Sequence, residues 1–345
     1  NFDYEKILND SNDIKGELVL NTRGYNKNYN TNIDESVLIN DLLLDSFVYP
    51  DSGIDGLQNS YKFLLRNLNS NANNSENFRE GEDNKLLSSI ILESKLPLKK
   101  ENELFNNYLT PKFSLRYSPN STKNNSKSDE AMIYEDLFSL DRIDDTGVEG
   151  GESLTIGIEY SSKNKQNKDF LNLSIGNVLR LKENPDLPKL NNLYDKRSNF
   201  IGSLEIIPSE FFNLSYDFSI DNKLESSNYD LIKADISINN FVTSFEFLEE
   251  DNYLNQTSYA KNKTKYKFSD NYSVSFETSK DLDKDITDYY NLIYEYENDC
   301  MTAAIEYNKN YYSDGNLKPE ENLLFSIKII PFGKINSPSL NKAKW

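Results

Sequence analysis

The sequence predicts an all-β fold: an antiparallel transmembrane β-barrel, with roughly 16 strands of a larger barrel present. Three observations predict it. Apolar and polar residues alternate with period two along most of the chain. The alternating segments run about 9–12 residues, the length a tilted strand needs to cross a hydrocarbon layer. Their connections broadly alternate between very short turns and long polar loops.

Each observation can be followed along the chain. In ESLTIGIEY, Leu154, Ile156, Ile158 and Tyr160 point one way and Thr155, Gly157 and Glu159 the other. FFNLSYDFSI repeats this, with Phe212, Leu214, Tyr216, Phe218 and Ile220 against Asn213, Ser215, Asp217 and Ser219. So do NYSVSFET (Tyr272, Val274, Phe276), MTAAIEYN (Met301, Ala303, Ile305, Tyr307) and NLLFSIKII (Leu323, Phe325, Ile327, Ile329). Turns are expected at 208–210, 239–240 and 269–271, and long polar loops at 67–84, 118–151 and 182–199. The stretches 97–108 and 162–168 are less regular. No Pro/Gly-rich linker divides the chain, so residues 1–333 are expected to form one barrel segment, followed by a polar periplasmic tail at 334–345.

A strand in lipid must have every N–H and C=O paired within the protein, so strands there close on one another, apolar outside and free to be wet inside. A soluble β-sandwich or solenoid also alternates. Alternation over most of the chain, without the continuous apolar run of a central core strand, favours the barrel. The 23 Tyr and 19 Phe, often near strand ends, suit an aromatic girdle.

Composition removes most other classes. A net charge of −18 does not suit phosphate binding, so no nucleic-acid partner is expected. There is no histidine, hence no Ser/His/Asp triad and none of the commonest metal ligands. Neither a carboxylate pair nor a calcium-loop spacing stands out, so no enzyme, cofactor or metal site is expected. The chain starts without methionine and reads as part of something longer. Trp345 follows a polar stretch and does not read as an insertion signal.

If short turns face the periplasm and long loops the exterior, the turn ENDC at 297–300 is periplasmic. The single cysteine, Cys300, then faces an oxidising compartment. By itself it reads as an incidental thiol rather than as half of a disulfide.

Three stretches carry a family resemblance. NDCMTAAIEYNKNYYSDGNLKPEENLLFSIKIIPFG (298–333) resembles the C-terminal end of LptD, the lipopolysaccharide-assembly outer-membrane family, in which a cysteine or cysteine pair sits in the turn before the penultimate strand. DLFSLDRIDDTGVEGGESLTIGIEY (136–160) resembles that family's LFSLNRF…DR(V/I)EGG loop. It keeps Phe138, Ser139, Leu140, Arg142, Glu149, Gly150 and Gly151, and departs at Asp141 and at Thr146–Gly147. ESKLPLKKENELFNNYLTPKFSLRYSP (93–119) is a looser match.

The resemblance implies the C-terminal part of a barrel of about 26 strands, preceded by a periplasmic β-jellyroll. It implies transport of lipopolysaccharide from a periplasmic bridge protein, through a lateral gate, into the outer leaflet of the bacterial outer membrane, with an LptE-like lipoprotein plugging the lumen. Cys300 would then form a disulfide with a region upstream of Asn1. Because Met301 follows it, only one such bridge is available here. The last strand, 322–330, would be the movable gate wall. Leu323, Phe325, Ile327 and Ile329 would face lipid and Leu324, Ser326 and Lys328 the lumen. In the 136–151 loop, Arg142 is expected to pair with Asp144 or Glu149 in an exposed contact of small worth. A general diffusion porin or nutrient-uptake barrel, and a secreted soluble β-rich adhesin, stay open as alternatives.

Overall fold

A computed structural model of the chain describes residues 2–9, 14–29, 32–48, 54–126, 128, 131–140, 142–143, 146–251, 256–311, 320–329, 333–336 and 340–341. Strands dominate. The one helical piece among the described residues is a 3-10 turn at Glu135–Phe138, and no helix is long and apolar enough to cross a membrane.

The chain divides into two compact units. The first comprises residues 1–167, 173–202 and 219–226, and the second 168–172, 203–218 and 227–345. The first begins with β1 (Phe2–Asn9), β2 (Ile14–Tyr29), β3 (Ile33–Val48), β4 (Gln58–Asn73) and β5 (Gly81–Lys95). The short β6 (Leu98–Glu101), β7 (Phe105–Ser118) and β8 (Gly151–Asn164) follow. Sequential strands pair antiparallel from β1 to β5, β5 then pairs β7, and β7 pairs β8. Next come β9 (Asp169–Arg180), β10 (Phe200–Ser209) and β11 (Phe212–Ile220).

The second unit is a meander of β12 (Ser227–Ile238), β13 (Phe241–Asp251), β14 (Gln256–Lys267), β15 (Tyr272–Asp281), β16 (Ile286–Glu297), β17 (Met301–Asn310) and β18 (Glu320–Ile329). Each strand pairs antiparallel with the next. The far edge of β18 is paired too. β19 (Gly333–Asn336) lies against Ser326–Ile329, and β20 (Leu340–Asn341) against Asn322–Leu323. Among the described residues seventeen strands have eight or more residues, against the roughly 16 read from the sequence.

The period-two pattern translates into two unlike faces. On β8, Ile156 and Ile158 are 46% and 47% exposed, whereas Ser153 and Thr155, on the opposite phase of the strand, are 5% and 2% exposed. β7 does the same, with Phe113, Leu115 and Tyr117 exposed and Ser114, Arg116 and Ser118 buried. Apolar groups thus cover the outer face and polar ones the covered inner face. This is the reverse of a water-soluble sheet and the arrangement lipid demands. In the second unit Phe245, Phe276, Leu292, Ile305, Phe325 and Ile327 are exposed in the same way. At the turn end Tyr266, Phe268, Tyr272, Tyr294 and Tyr296 form a chain of ring contacts 5.0–6.3 Å between centroids. That is an aromatic girdle segment of the kind found at a bilayer interface.

Four boundaries differ from expectation. The polar stretch 67–84 is not a long loop. β4 and β5 run through most of it, and only residues 74–80 connect them. Its Asn and Ser residues alternate with Leu68, Ser70 and Ala72 on the buried face, so the strands continue past the apolar band. The turn expected at 208–210 falls at 210–211, and β18, expected from residue 322, already begins at residue 320. The polar tail drawn from residue 334 starts inside β19. Counting connections back from the C-terminal end makes the one at 318–321 external; its residues 318–319 lie outside the described residues.

Candidate functional site

The connection between β7 and β8, residues 119–150, folds back onto the inner face of its own strands. It begins from apolar residues scattered in a polar loop. Met132, Tyr134, Leu137, Phe138 and Ile143 are buried together with Val178 of β9, Leu187 and Leu193 of the next connection, and Ile201. The Asp136 carboxylate starts the 3-10 turn by accepting from the Ile133 N–H at 3.1 Å. The wall is shaped to receive these rings. A Cβ on Gly157 would lie 2.7 Å from the Tyr134 hydroxyl and 2.9 Å from Phe138 Cζ, and one on Gly176 would lie 2.7 Å from Leu137 Cδ1. Both glycines sit at inward positions of strands, where a side chain would push the loop off the wall.

The second half of the loop is held by charge. Glu149 is 1% exposed. Arg142 grips its carboxylate with Nε and Nη2, and also donates to Leu137 O and Thr155 Oγ1 at 3.0 Å and to Ser153 Oγ at 2.9 Å. Arg180, at the end of β9, ion-pairs with the same carboxylate, and Arg116 Nε of β7 lies 3.9 Å from it. Arg116 also donates to Ser139 O and to Leu140 O, the latter at 2.9 Å. From β4, Arg66 donates to Gly147 O at 2.8 Å while pairing with Asp41 at 2.7 and 2.9 Å. Arg23 joins Asp41 at 2.8 Å. Val148 packs with Leu64 and Leu87. The Gly150 N–H and the Asn184 side-chain amide both donate to Thr122 Oγ1, at 2.9 and 2.7 Å.

Burial lowers the Arg142 guanidinium to about 9, so it stays cationic at neutral pH. Burial, then the neighbouring Glu159, raises the Tyr134 phenol, which keeps its proton and donates to Glu159 at 3.2 Å. Charged guanidinium groups have no proton to give near neutrality, so the constellation fits a clasp and not acid–base chemistry. No group of three or more metal-ligating residues occurs among the described residues.

The structure brings together Phe138, Ser139, Leu140, Arg142, Glu149 and Gly150 in this loop, and Gly151 opens β8 with a φ of +87° that glycine alone adopts readily. The expected Arg142–Glu149 pair exists but is buried, not exposed, which changes its worth. Asp144 lies outside the described residues. Sequence reasoning missed Arg66, Arg116, Arg180, Tyr134 and the two wall glycines. One signal was available: five of the seven arginines in this lysine-rich chain (Arg23, Arg66, Arg116, Arg142 and Arg180) are at this site. Arginine's planar fork suits buried pairs better than lysine's ammonium.

The other expected residues belong to the second unit. Cys300 is an exposed free thiol in the β16–β17 turn. Asn298 Oδ1 accepts from the N–H groups of Cys300 and Met301 at 3.0 and 2.8 Å, which fixes the turn. On β18, Phe325, Ile327 and Ile329 are exposed, Leu323, Leu324 and Ser326 half-buried, and Lys328 exposed.

A family model for LptD, LPS transport system D, matches residues 57–272, which contain every residue of this site except Arg23 and Asp41. Among curated proteins nothing matches. Two solved structures are similar at low identity. The siderophore receptor PirA from Acinetobacter baumannii is 8% identical with a TM-score of 0.46; the match covers 95% of this chain and 64% of the receptor. A mutant of Rh. blastica porin is 11% identical with a TM-score of 0.34, covering 92% of this chain and 100% of the porin. Likeness this weak says nothing about activity.

Proposed function

The chain belongs to the LptD family of lipopolysaccharide transport proteins, and from that premise we propose that it inserts lipopolysaccharide into the outer leaflet through a lateral gate. Membership places it in the outer membrane of a bacterium as a β-barrel, with a role in lipopolysaccharide transport. The family match over residues 57–272 carries the reading. The outer faces add support, because exposed Leu, Ile and Phe bounded by a tyrosine-rich girdle require lipid around the wall.

In this reading β18 is the gate wall, and Phe325, Ile327 and Ile329 meet lipid. Opening a strand edge in lipid costs its backbone hydrogen bonds unless another segment takes them over. The pairing of β19 and β20 along the far edge of β18 supports this reading, with residues 333–336 and 340–341 taking up that edge. Cys300, exposed in a well-built turn, is free to bond a cysteine elsewhere in the full protein. An LptE-like lipoprotein in the lumen and a periplasmic bridge protein are the proposed partners. No observation favours the diffusion-porin alternative over this one.

Depletion of the protein in its native bacterium tests the proposal. Surface lipopolysaccharide, read by polymyxin labelling of intact cells, should fall within a few generations as new lipid is retained inside. Normal surface lipopolysaccharide together with lost uptake of small solutes would transfer the protein to the porin class.

A further inference from the structure

We propose that the outer wall of β2 to β5 carries, just above its apolar band, a binding site for the neutral sugars of an outer-leaflet glycolipid. The outward phase of these four strands changes chemistry within one step. One row across them reads Leu20, Leu42, Leu65 and Ser88. The next, two residues nearer the 74–80 connection, reads Thr22, Asn40, Asn67 and Leu86, and the one after it Gly24, Leu38, Asn69 and Asn84. Two residues are about 7 Å of strand. The amides therefore begin where acyl chains end, since an outward amide farther down would face hydrocarbon.

These amides form an ordered array. Asn67 donates to Asn84 Oδ1 at 3.2 Å, Asn84 donates to Asn69 Oδ1, and Asn69 donates back to Asn67 Oδ1 at 2.6 Å, which closes a ring of three. Asn40 joins by donating to Asn67 Oδ1 at 3.4 Å and accepts from Thr22 Oγ1 at 3.0 Å. Each asparagine uses one of its two N–H groups within the array and keeps the second for a ligand's oxygen. Side chains fixed in this way lose little freedom on binding. Beside the ring lies a recess of about 530 Å³, lined by Asn69 and Asn84 together with Ser36, Leu38, Asn71 and Glu82. That volume falls within the ~300–1,000 Å³ of small-ligand clefts.

Charge decides which part of a head group the face recognises. From the Thr22–Leu86 row to the outer strand ends, no outward position of β2 to β5 is lysine or arginine. A surface kept only for solubility mixes both signs of charge, and a phosphate site needs cations. The charged residues lining the recess are Glu82 and Asp83, and Asp83 pairs with Lys85 at 3.2 Å. Amides and carboxylates match hydroxyls, so sugars and not phosphates are selected. The leucine row directly beneath seats acyl chains, and this continuity selects an embedded glycolipid over a soluble polysaccharide.

The site needs only a barrel wall in an outer leaflet, so it goes beyond the transport reading and either can fail without the other. The test places the purified whole protein, with Asn71→benzoylphenylalanine beside the ring, in phospholipid nanodiscs with or without lipopolysaccharide. Irradiation should give a lipopolysaccharide adduct at position 71. Asn67→Thr, Asn69→Thr and Asn84→Thr together should lower its yield several-fold, while Phe63→benzoylphenylalanine, in the apolar band, should label acyl chains equally in both backgrounds. If the triple variant lacks the heat-modifiable fold, Asn69→Thr alone opens the ring and is scored the same way. Deacylated lipopolysaccharide saccharide, added at the same concentration to discs without lipopolysaccharide, should label position 71 only weakly. No adduct with the ring intact, a yield unchanged when the ring is opened, or labelling by the free saccharide as strong as by the embedded lipid overturns the inference.

Discussion

The two units use the same antiparallel strands and the same outer face, and differ in what covers the inner one. In the first, Arg66, Arg116, Arg142, Arg180 and Glu149 are nearly or fully buried beneath a folded loop. In the second, the inner face carries pairs such as Lys233–Glu246, Lys261–Glu246, Lys263–Glu277 and Lys265–Glu295, at 2.9–3.7 Å and all partly exposed. The chemistry of the pairs is similar, but their solvation is not. A buried pair costs much to desolvate and more to break, whereas an exposed one is screened and nearly neutral. Identical-looking charge alternation in a strand therefore has opposite consequences, depending on whether a loop lies over it.

The largest expected effect follows from that contrast. Glu149→Leu should destabilise the folded barrel by about 3–5 kcal/mol, because it leaves three arginines around a carboxylate that is gone. Replacing Arg142 as well, by methionine, should recover part of the loss, since an apolar pair needs no counter-charge. Urea midpoints of the heat-modifiable form in lipid vesicles read both. Equal midpoints for wild type and Glu149→Leu would break the comparison at its root.

The outer faces should show no such contrast. Ile158→Arg in the first unit and Phe245→Arg in the second each place a charge on an exposed apolar position. Each should cost about 2–4 kcal/mol if the position lies near the bilayer midplane. In the same titration the two values should agree to within their depth difference. A large effect in one unit alone would mean that the other face does not meet lipid.

Next in size are the wall glycines. Gly157→Ala and Gly176→Ala force Tyr134, Phe138 or Leu137 to shift, at about 1–3 kcal/mol each by overpacking. Strands β12 to β18 contain no glycine, and their inner face instead carries tyrosines such as Tyr259 and Tyr289, bonded to Glu246 and Glu277. Near-ultraviolet circular dichroism should register the displaced tyrosine in the first unit.

These residues also show what the sequence could reveal. Alternation made β8, β11, β15, β17 and β18 legible, because a strand in lipid exposes its apolar phase whatever its neighbours do. The loop was legible only as a motif. Met132, Tyr134, Leu137 and Phe138 bury themselves without strand periodicity, against residues of β9 and of the 181–199 connection that are remote in sequence. Gly157 and Gly176 acquire meaning once the rings above them are placed. The 67–84 stretch misled for a related reason. Asn and Ser mark loops where strands end at the membrane, yet here they line strands of 15 and 16 residues that extend beyond the apolar band. Arg142 and Glu149 could be paired by eye, but their burial depends on Arg116, Arg180 and Thr155 arriving from other strands.

The smallest effect is the most discriminating. Glu246 pairs with Lys233 and Lys261 at 3.4 and 3.7 Å and accepts from the Tyr259 hydroxyl at 2.9 Å. It thus gathers three partners, as Glu149 gathers three arginines, but stays partly open to water. Glu246→Gln should cost no more than about 1 kcal/mol, and raising the salt to about 1 M, where the screening length is ~3 Å, should shrink even that. Glu149→Leu should keep most of its cost at the same salt, because no ion reaches the buried carboxylate. If Glu246→Gln proved as damaging and as salt-insensitive as Glu149→Leu, the inner face of the second unit would have to be covered as well. The difference between the units would then lie in what covers them, not in whether they are covered.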